Sequence, residues 1–211
     1  LYNGLLKEEE IPDDEKIYCT EAVYRTRKNR MTEEHFLLWK QNETLRYYDV
    51  DGRDYSELVD GLNLDAYENI EVSTEKFIRD YPDLMKRYDI RDRYELHNLL
   101  KKIVKDGSYH DFHCCRMPEI RFGRFNREKA ILEILKETAP ITMPELAEAV
   151  SNEYGYDPAT VTGTYLQPLN VYYHQGIYTV DQKVMPADNQ ERLKQTLTED
   201  FYFFDEIIAP V

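Results

Sequence analysis

The stretch from Asn126 to Val180 constrains the fold most, because helix starts and stops follow one another there at short intervals. Asn126 can cap a helix that carries Ala130, Ile131, Ile134 and Leu135 on one face, and Pro140 breaks it. Ile141 leaves room for a short extended piece. Thr142 and Glu145 then form a capping box, with Pro144 in the first turn and Leu146, Ala147 and Val150 as the buried stripe. Tyr154-Gly155-Tyr156 reads as a turn. Asp157 caps a third helix with Pro158 at its first position, and Val161, Tyr165 and Leu169 follow at spacing four. Gln175-Gly176 separates Val171-Tyr172-Tyr173 from Ile177-Tyr178-Thr179-Val180, which is a hairpin signal.

A similar order occupies residues 73–125. Ser73 and Thr74 can cap a helix through Phe77, Ile78 and Tyr81, and Pro82 can begin a further turn carrying Leu84, Met85 and Tyr88. Asp92 and Glu95 match a capping box, and the helix they start places Leu96, Leu99, Leu100 and Ile103 on one stripe. Arg93, His97, Lys101 and Lys105 are expected on or beside the other face. Gly107 ends the helix. Tyr109–Cys115 and Glu119–Phe122 read as short strands around Met117-Pro118.

The flanks are less clear. Thr32, followed by Glu33, Glu34 and His35 and then Phe36, Leu37, Leu38 and Trp39, predicts a helix start with an apolar face. Asp49 to Asp54 is turn-rich, but the glycine and the closing glutamate of a calcium loop are not at the required positions. Thr198 can cap a last helix containing Phe201, Tyr202, Phe203, Phe204, Ile207 and Ile208, suited to docking on its own domain or to a dimer contact. The expected organisation is an N-terminal helical region over 1–72, a first unit over 73–125, and a second unit with a C-terminal helix over 126–211. The fold class is mainly α with small β-hairpin wings.

Charge narrows the partners. The chain carries 27 Lys and Arg against 41 Asp and Glu, a net −14. Residues 73–129 hold 14 of those cations against 10 of the anions, so a basic middle lies between acidic flanks. The whole molecule repels nucleic acid at long range, and any phosphate contact must be local. The 18 tyrosines suit either thin cores or a binding surface. Three cysteines, an odd number with Cys114 and Cys115 adjacent, make no disulfide framework and favour a reducing, cytoplasmic setting. No apolar run is long enough for a membrane span, and the start at Leu1 reads as a piece of a larger protein.

Catalytic and metal chemistry find little footing. His110, His113, Cys114 and Cys115 could be counted as four zinc ligands, but neighbours on a strand point to opposite faces, and no second cysteine pair completes the set. There is no glycine-rich phosphate loop, no nucleophile elbow and no His-Glu-x-x-His. Neither an enzyme, a metal site nor a cofactor is expected.

Arg91-Asp-Arg-Tyr-Glu-Leu-His-Asn-Leu-Leu-Lys-Lys and Tyr154-Gly-Tyr-Asp-Pro-Ala-Thr-Val, set in the orders above, resemble the winged helix-turn-helix superfamily. They also look like helix-turn-helix segments of bacterial sigma-factor-like or polymerase-associated DNA-binding proteins. The resemblance is architectural and covers at most residues 73–185. It implies a third helix laid in the major groove of double-stranded DNA, with the wing on phosphate or minor groove. Carried onto the central unit, it nominates Arg91, Arg93, His97, Asn98, Lys101, Lys102 and Lys105 of the basic helix, and Arg116, Arg121 and Arg124 of the wing. The helix after Asp157 offers only Thr160, Thr162, Thr164 and Gln167, without a cation, and is better suited to protein interaction or dimerisation. The expected function is non-catalytic, DNA-associated transcription regulation. The alternative is a protein–protein interaction or dimerisation module of a larger assembly.

Overall fold

The computed structural model describes residues 30–180, except 32 and 41–43, and the isolated positions 188, 191, 192 and 195. The helix expected after Thr198 lies outside the described residues, as does Thr32, the expected cap of the first helix.

The apolar run after Thr32 is a strand and not a helix. β1 (Leu37–Lys40) pairs antiparallel with β2 (Thr44–Tyr47), with Leu37 opposite Tyr47 and Trp39 opposite Leu45. Tyr48 and Val50 extend the pairing, donating to the carbonyls of Phe36 at 2.9 Å and His35 at 2.8 Å. A four-residue apolar run carries no period that separates helix from strand, so pairing and packing decide. The turn at Asp49 forms as expected, with Gly52 N–H bonded to Asp49 Oδ1 at 3.1 Å. α1 (Ser56–Leu62) follows and buries Leu58 and Leu62.

The central unit runs β3 (Ile70–Ser73), α2 (Thr74–Asp80), α3 (Pro82–Arg87), α4 (Arg93–Ile103), β4 (Phe112–Cys114) and β5 (Glu119–Phe122). Its sheet has the order β3-β5-β4, all antiparallel, so the first strand pairs with the last. β3 crosses the boundary drawn at 72/73. Ser73 caps α2 by accepting from Glu75 N–H at 3.2 Å. Asp92 caps α4 by accepting from Tyr94 and Glu95 N–H at 2.9 and 3.0 Å. Glu95 does not close the expected box. Its carboxylate takes the N–H of Arg91 at 2.9 Å and the guanidinium of Arg46. β4 starts at Phe112 because Tyr109, His110 and Asp111 all have positive φ (46°, 56° and 64°) and cannot be extended.

The following elements are α5 (Arg127–Thr138), β6 (Ile141–Thr142), α6 (Met143–Tyr154), α7 (Pro158–Thr160), β7 (Tyr173–His174) and β8 (Ile177–Tyr178). The sheet order β6-β8-β7 repeats the first-with-last pairing of the central unit. The caps at Asn126, Thr142 and Asp157 form where the sequence places them, and the Thr142–Glu145 box is complete. The third helix is less regular than its spacing predicts. After α7 it widens over Val161–Tyr165, where Leu166 N–H reaches Val161 C=O at 3.0 Å, and then tightens over Gln167–Tyr172. Gly163 and Pro168 both weaken a regular helical ladder there.

One apolar cluster runs through both units, with Phe77, Leu96 and Leu100 on one side and Leu135, Val150, Val161 and Tyr178 on the other. The described fold is mainly helical with small antiparallel sheets. Among the described residues no helix is long and apolar enough to cross a membrane.

Candidate functional site

α4 was expected to turn one face inward and its basic face to solvent. It is buried on both. Leu96, Leu99 and Leu100 fill the core, while Glu95, His97 and Asn98 are 0%, 2% and 1% exposed. The β1–β2 hairpin covers the second face. Trp39 N–H donates to Asn98 Oδ1 at 3.1 Å, and Arg46 binds Glu95 through Nε at 2.8 Å and Nη2 at 2.7 Å. His97 donates from Nε2 to the carbonyl of Glu119 at 3.0 Å, and burial pushes its pKa down to about 4. Lys102 donates to the carbonyls of Glu34, at 2.8 Å, and of Leu37, and burial lowers it to about 8. A helix wrapped in this way cannot enter a DNA groove about 12 Å wide unless the hairpin leaves.

The other nominated cations divide. Arg91 pairs with Asp89 at 3.0 Å, and Arg121 with Glu71 at 2.6 Å. Arg93 lies 3.9 Å from Asp157. Lys101, Lys105, Arg116 and Arg124 are exposed and have no ion pair among the described residues. The structure therefore does not gather the ten nominated residues on one surface. It uses His97, Asn98, Lys102 and Arg121 internally.

A buried polar junction joins the two units, and sequence reasoning missed it. Glu71 of β3, 1% exposed, receives the guanidinium of Arg121 (Nε 3.0 Å, Nη2 2.6 Å) and that of Arg127. The Tyr156 hydroxyl lies 3.0 Å from the Glu71 carbonyl and 3.1 Å from its Oε1. Arg127 also stacks over the Tyr165 ring at 4.0 Å, and Tyr165 donates to Glu119 at 2.6 Å. Burial alone would raise the Glu71 carboxyl, but the hydrogen bonds and charges of the two arginines override it and hold it below its usual range. The available signal was a charged residue between Ile70 and Val72 in an alternating run, which marks a strand with a partner to find.

The histidine and cysteine group is dispersed. His113 lies between Asp106 at 2.7 Å and Asp111 at 3.0 Å, and His110 bonds the Asp65 carbonyl at 3.1 Å. Burial pushes the Cys114 thiol up to about 12 and also raises Cys115. Such thiols are poor nucleophiles. Among the described residues no cluster of three His, Cys, Asp or Glu could hold a metal ion.

The third helix and hairpin of the second unit have a different character. From Pro158 to Val180 there is no Asp, Glu, Lys or Arg, in a chain that is 32% charged. Much of this stretch is at the surface: Thr160, Thr162, Thr164 and Gln167 are exposed, and Val171, at 62%, Ile177 and Val180 are exposed apolar residues. No protein-family model, curated protein or solved structure matches the chain.

Proposed function

We propose that the chain is a non-catalytic protein-interaction module of a larger assembly, built from two winged helix-turn-helix units in tandem. The repeated connectivity supports the tandem reading: both sheets pair their first strand with their last, and helices lie between. The observation that carries the function is the charge-free surface from Pro158 to Val180. In this architecture the third helix and wing meet the ligand. Depletion of charge with exposed apolar side chains is the signature of the centre of a protein interface, whereas a phosphate backbone demands cations.

A DNA-associated regulatory role is the second reading, favoured by the exposed Lys101, Lys105, Arg116 and Arg124. One pair of experiments separates the two. Changing Val171 and Ile177 together to Asp should abolish a complex with the protein partner, at an unchanged unfolding midpoint. The native chain should give no mobility shift with duplex DNA. A shift that weakens with salt and is lost on Lys101→Ala with Lys105→Ala would reject the interaction reading.

A further inference from the structure

We infer that the cleft between the two units is a binding site for an organic carboxylate with an apolar body, held by Arg93 and Arg116. The inference goes beyond the interaction reading: the cleft borders the Pro158–Val180 surface and shares Thr160 with it, but its arginines belong to the central unit. The cleft encloses about 430 Å³, within the usual size of small-molecule sites. Arg93 from the first turn of α4, Arg116, Met117 and Pro118 from the β4–β5 turn, and Thr160 and Tyr165 from the third helix of the second unit line it.

Arg93 is the reason to expect a ligand. Its side chain is only 18% exposed, yet its closest carboxylate oxygen, on Asp157, is 3.9 Å away, beyond hydrogen-bond reach. Its Nε is buried with no hydrogen-bond partner. Arg46, similarly buried, is bonded to Glu95 at 2.7 Å. Arg127 also has an unpaired buried Nε, but its Nη2 is paired with Glu71, whereas Arg93 has no carboxylate within hydrogen-bond reach. A largely buried guanidinium with an unmet Nε donor is costly and calls for a group to complete it. Arg116, at the mouth of the same cleft, is exposed and has no ion pair among the described residues.

The remaining groups select the charge of the ligand. Glu119 and Asp157 also line the cleft; three of their four oxygens face protein donors, and Asp157 Oδ2 stands 3.9 Å from Arg93. Glu119 Oε1 accepts from Tyr165 at 2.6 Å, and its Oε2 is 3.5 Å from Arg127. Asp157 Oδ1 accepts from the N–H groups of Ala159 and Thr160 at 3.0 and 3.1 Å. Two arginines and two carboxylates leave the cleft near neutrality, which favours a monoanion over a dianion. The planar guanidinium fork matches a carboxylate. Met117, Pro118 and the Tyr165 ring offer the apolar wall.

Phenylacetate, with benzyl alcohol as its uncharged counterpart, tests this on the full chain by NMR titration. Phenylacetate should shift the signals of Arg93, Arg116 and Thr160 saturably, and the alcohol should not. The absence of a saturable response, or an equal response to both, would overturn the proposal. Arg116→Ala should weaken phenylacetate binding about tenfold or more with an unchanged melting temperature, and retained affinity would overturn it. Arg93→Met should abolish binding and raise the melting temperature of the ligand-free chain, because an unmet buried charge is removed. A lowered melting temperature would mean that Arg93 serves the fold and not a ligand.

Discussion

Arg46 and Glu95 form a bidentate ion pair inside the protein, Nε to Oε1 at 2.8 Å and Nη2 to Oε2 at 2.7 Å, across 49 positions of the chain. Glu95 is fully buried, and Asp89 takes a third bond from the same guanidinium at 2.8 Å. The pair ties the β1–β2 hairpin to the buried side of α4. Truncating Arg46 leaves Glu95 charged, buried and without a cation, so Arg46→Ala should cost about 3–5 kcal/mol in urea unfolding. Replacing both, Arg46→Met with Glu95→Leu, should cost much less, because no orphaned charge remains. Equal losses would show that the hairpin is held mainly by apolar contact.

Stability should fall with pH through His97. Its ordinary pKa is 6.5, and burial lowers it to about 4 in the folded chain. Between those values the unfolded state binds more protons, so stability is fully present above pH 6.5 and is lost as pH falls toward 4. The loss is at most about 3 kcal/mol. Glu71 acts in the same direction at lower pH, because its folded pKa is depressed and its contribution disappears as it protonates. Urea midpoints at pH 7 and pH 5 measure the first effect. His97→Gln should flatten the change between them, and an unaltered pH dependence would assign it to another group.

The second unit was legible because its signals are local. Asn126, Thr142 with Glu145, Gly155 and Asp157 each act on backbone groups within a few residues, and each forms the expected cap or turn. The widening at Val161–Tyr165 was hidden because spacing four suits both a regular and a loosened helix. The hairpin at Leu37–Tyr47 was misread for a related reason: a short apolar run has no period of its own, and its identity comes from packing on α4. The same distant packing hid how several of the nominated side chains are used. Lys, Arg, His and Asn after Asp92 match a DNA-reading helix in composition, but Trp39, Arg46 and the Glu34 carbonyl, which cover it, lie 49 to 68 positions away. Internal use of a polar side chain is a tertiary property, and spacing along one helix does not report it.

The capping box at the start of α6 offers a local control on these long-range effects. Thr142 Oγ1 accepts from Glu145 N–H at 3.4 Å, while the Glu145 carboxylate takes Thr142 N–H at 3.0 Å. Thr142→Ala should cost about 1 kcal/mol in chemical unfolding, and Glu145→Ala a similar amount. The two should not add, since either change breaks the reciprocal arrangement. Fully additive losses would mean that the residues act separately.

Gly155 joins helix termination to the contact between units. It ends α6 with φ +72°, and a Cβ there would stand 2.7 Å from the backbone nitrogen of Lys76 in α2. Gly176, in the hairpin turn, has φ +90° and nothing within 4 Å of the same position. Alanine at either site incurs the left-handed backbone penalty of about 1–2 kcal/mol. Only Gly155→Ala also forces two backbones apart, and helix α2 cannot swing aside as a flexible side chain would. Gly155→Ala should therefore lower the unfolding free energy clearly more than Gly176→Ala, and the difference isolates the cost of separating α6 from α2. Equal losses would mean that α2 yields without penalty, and that the close approach at Lys76 contributes nothing to holding the two units together.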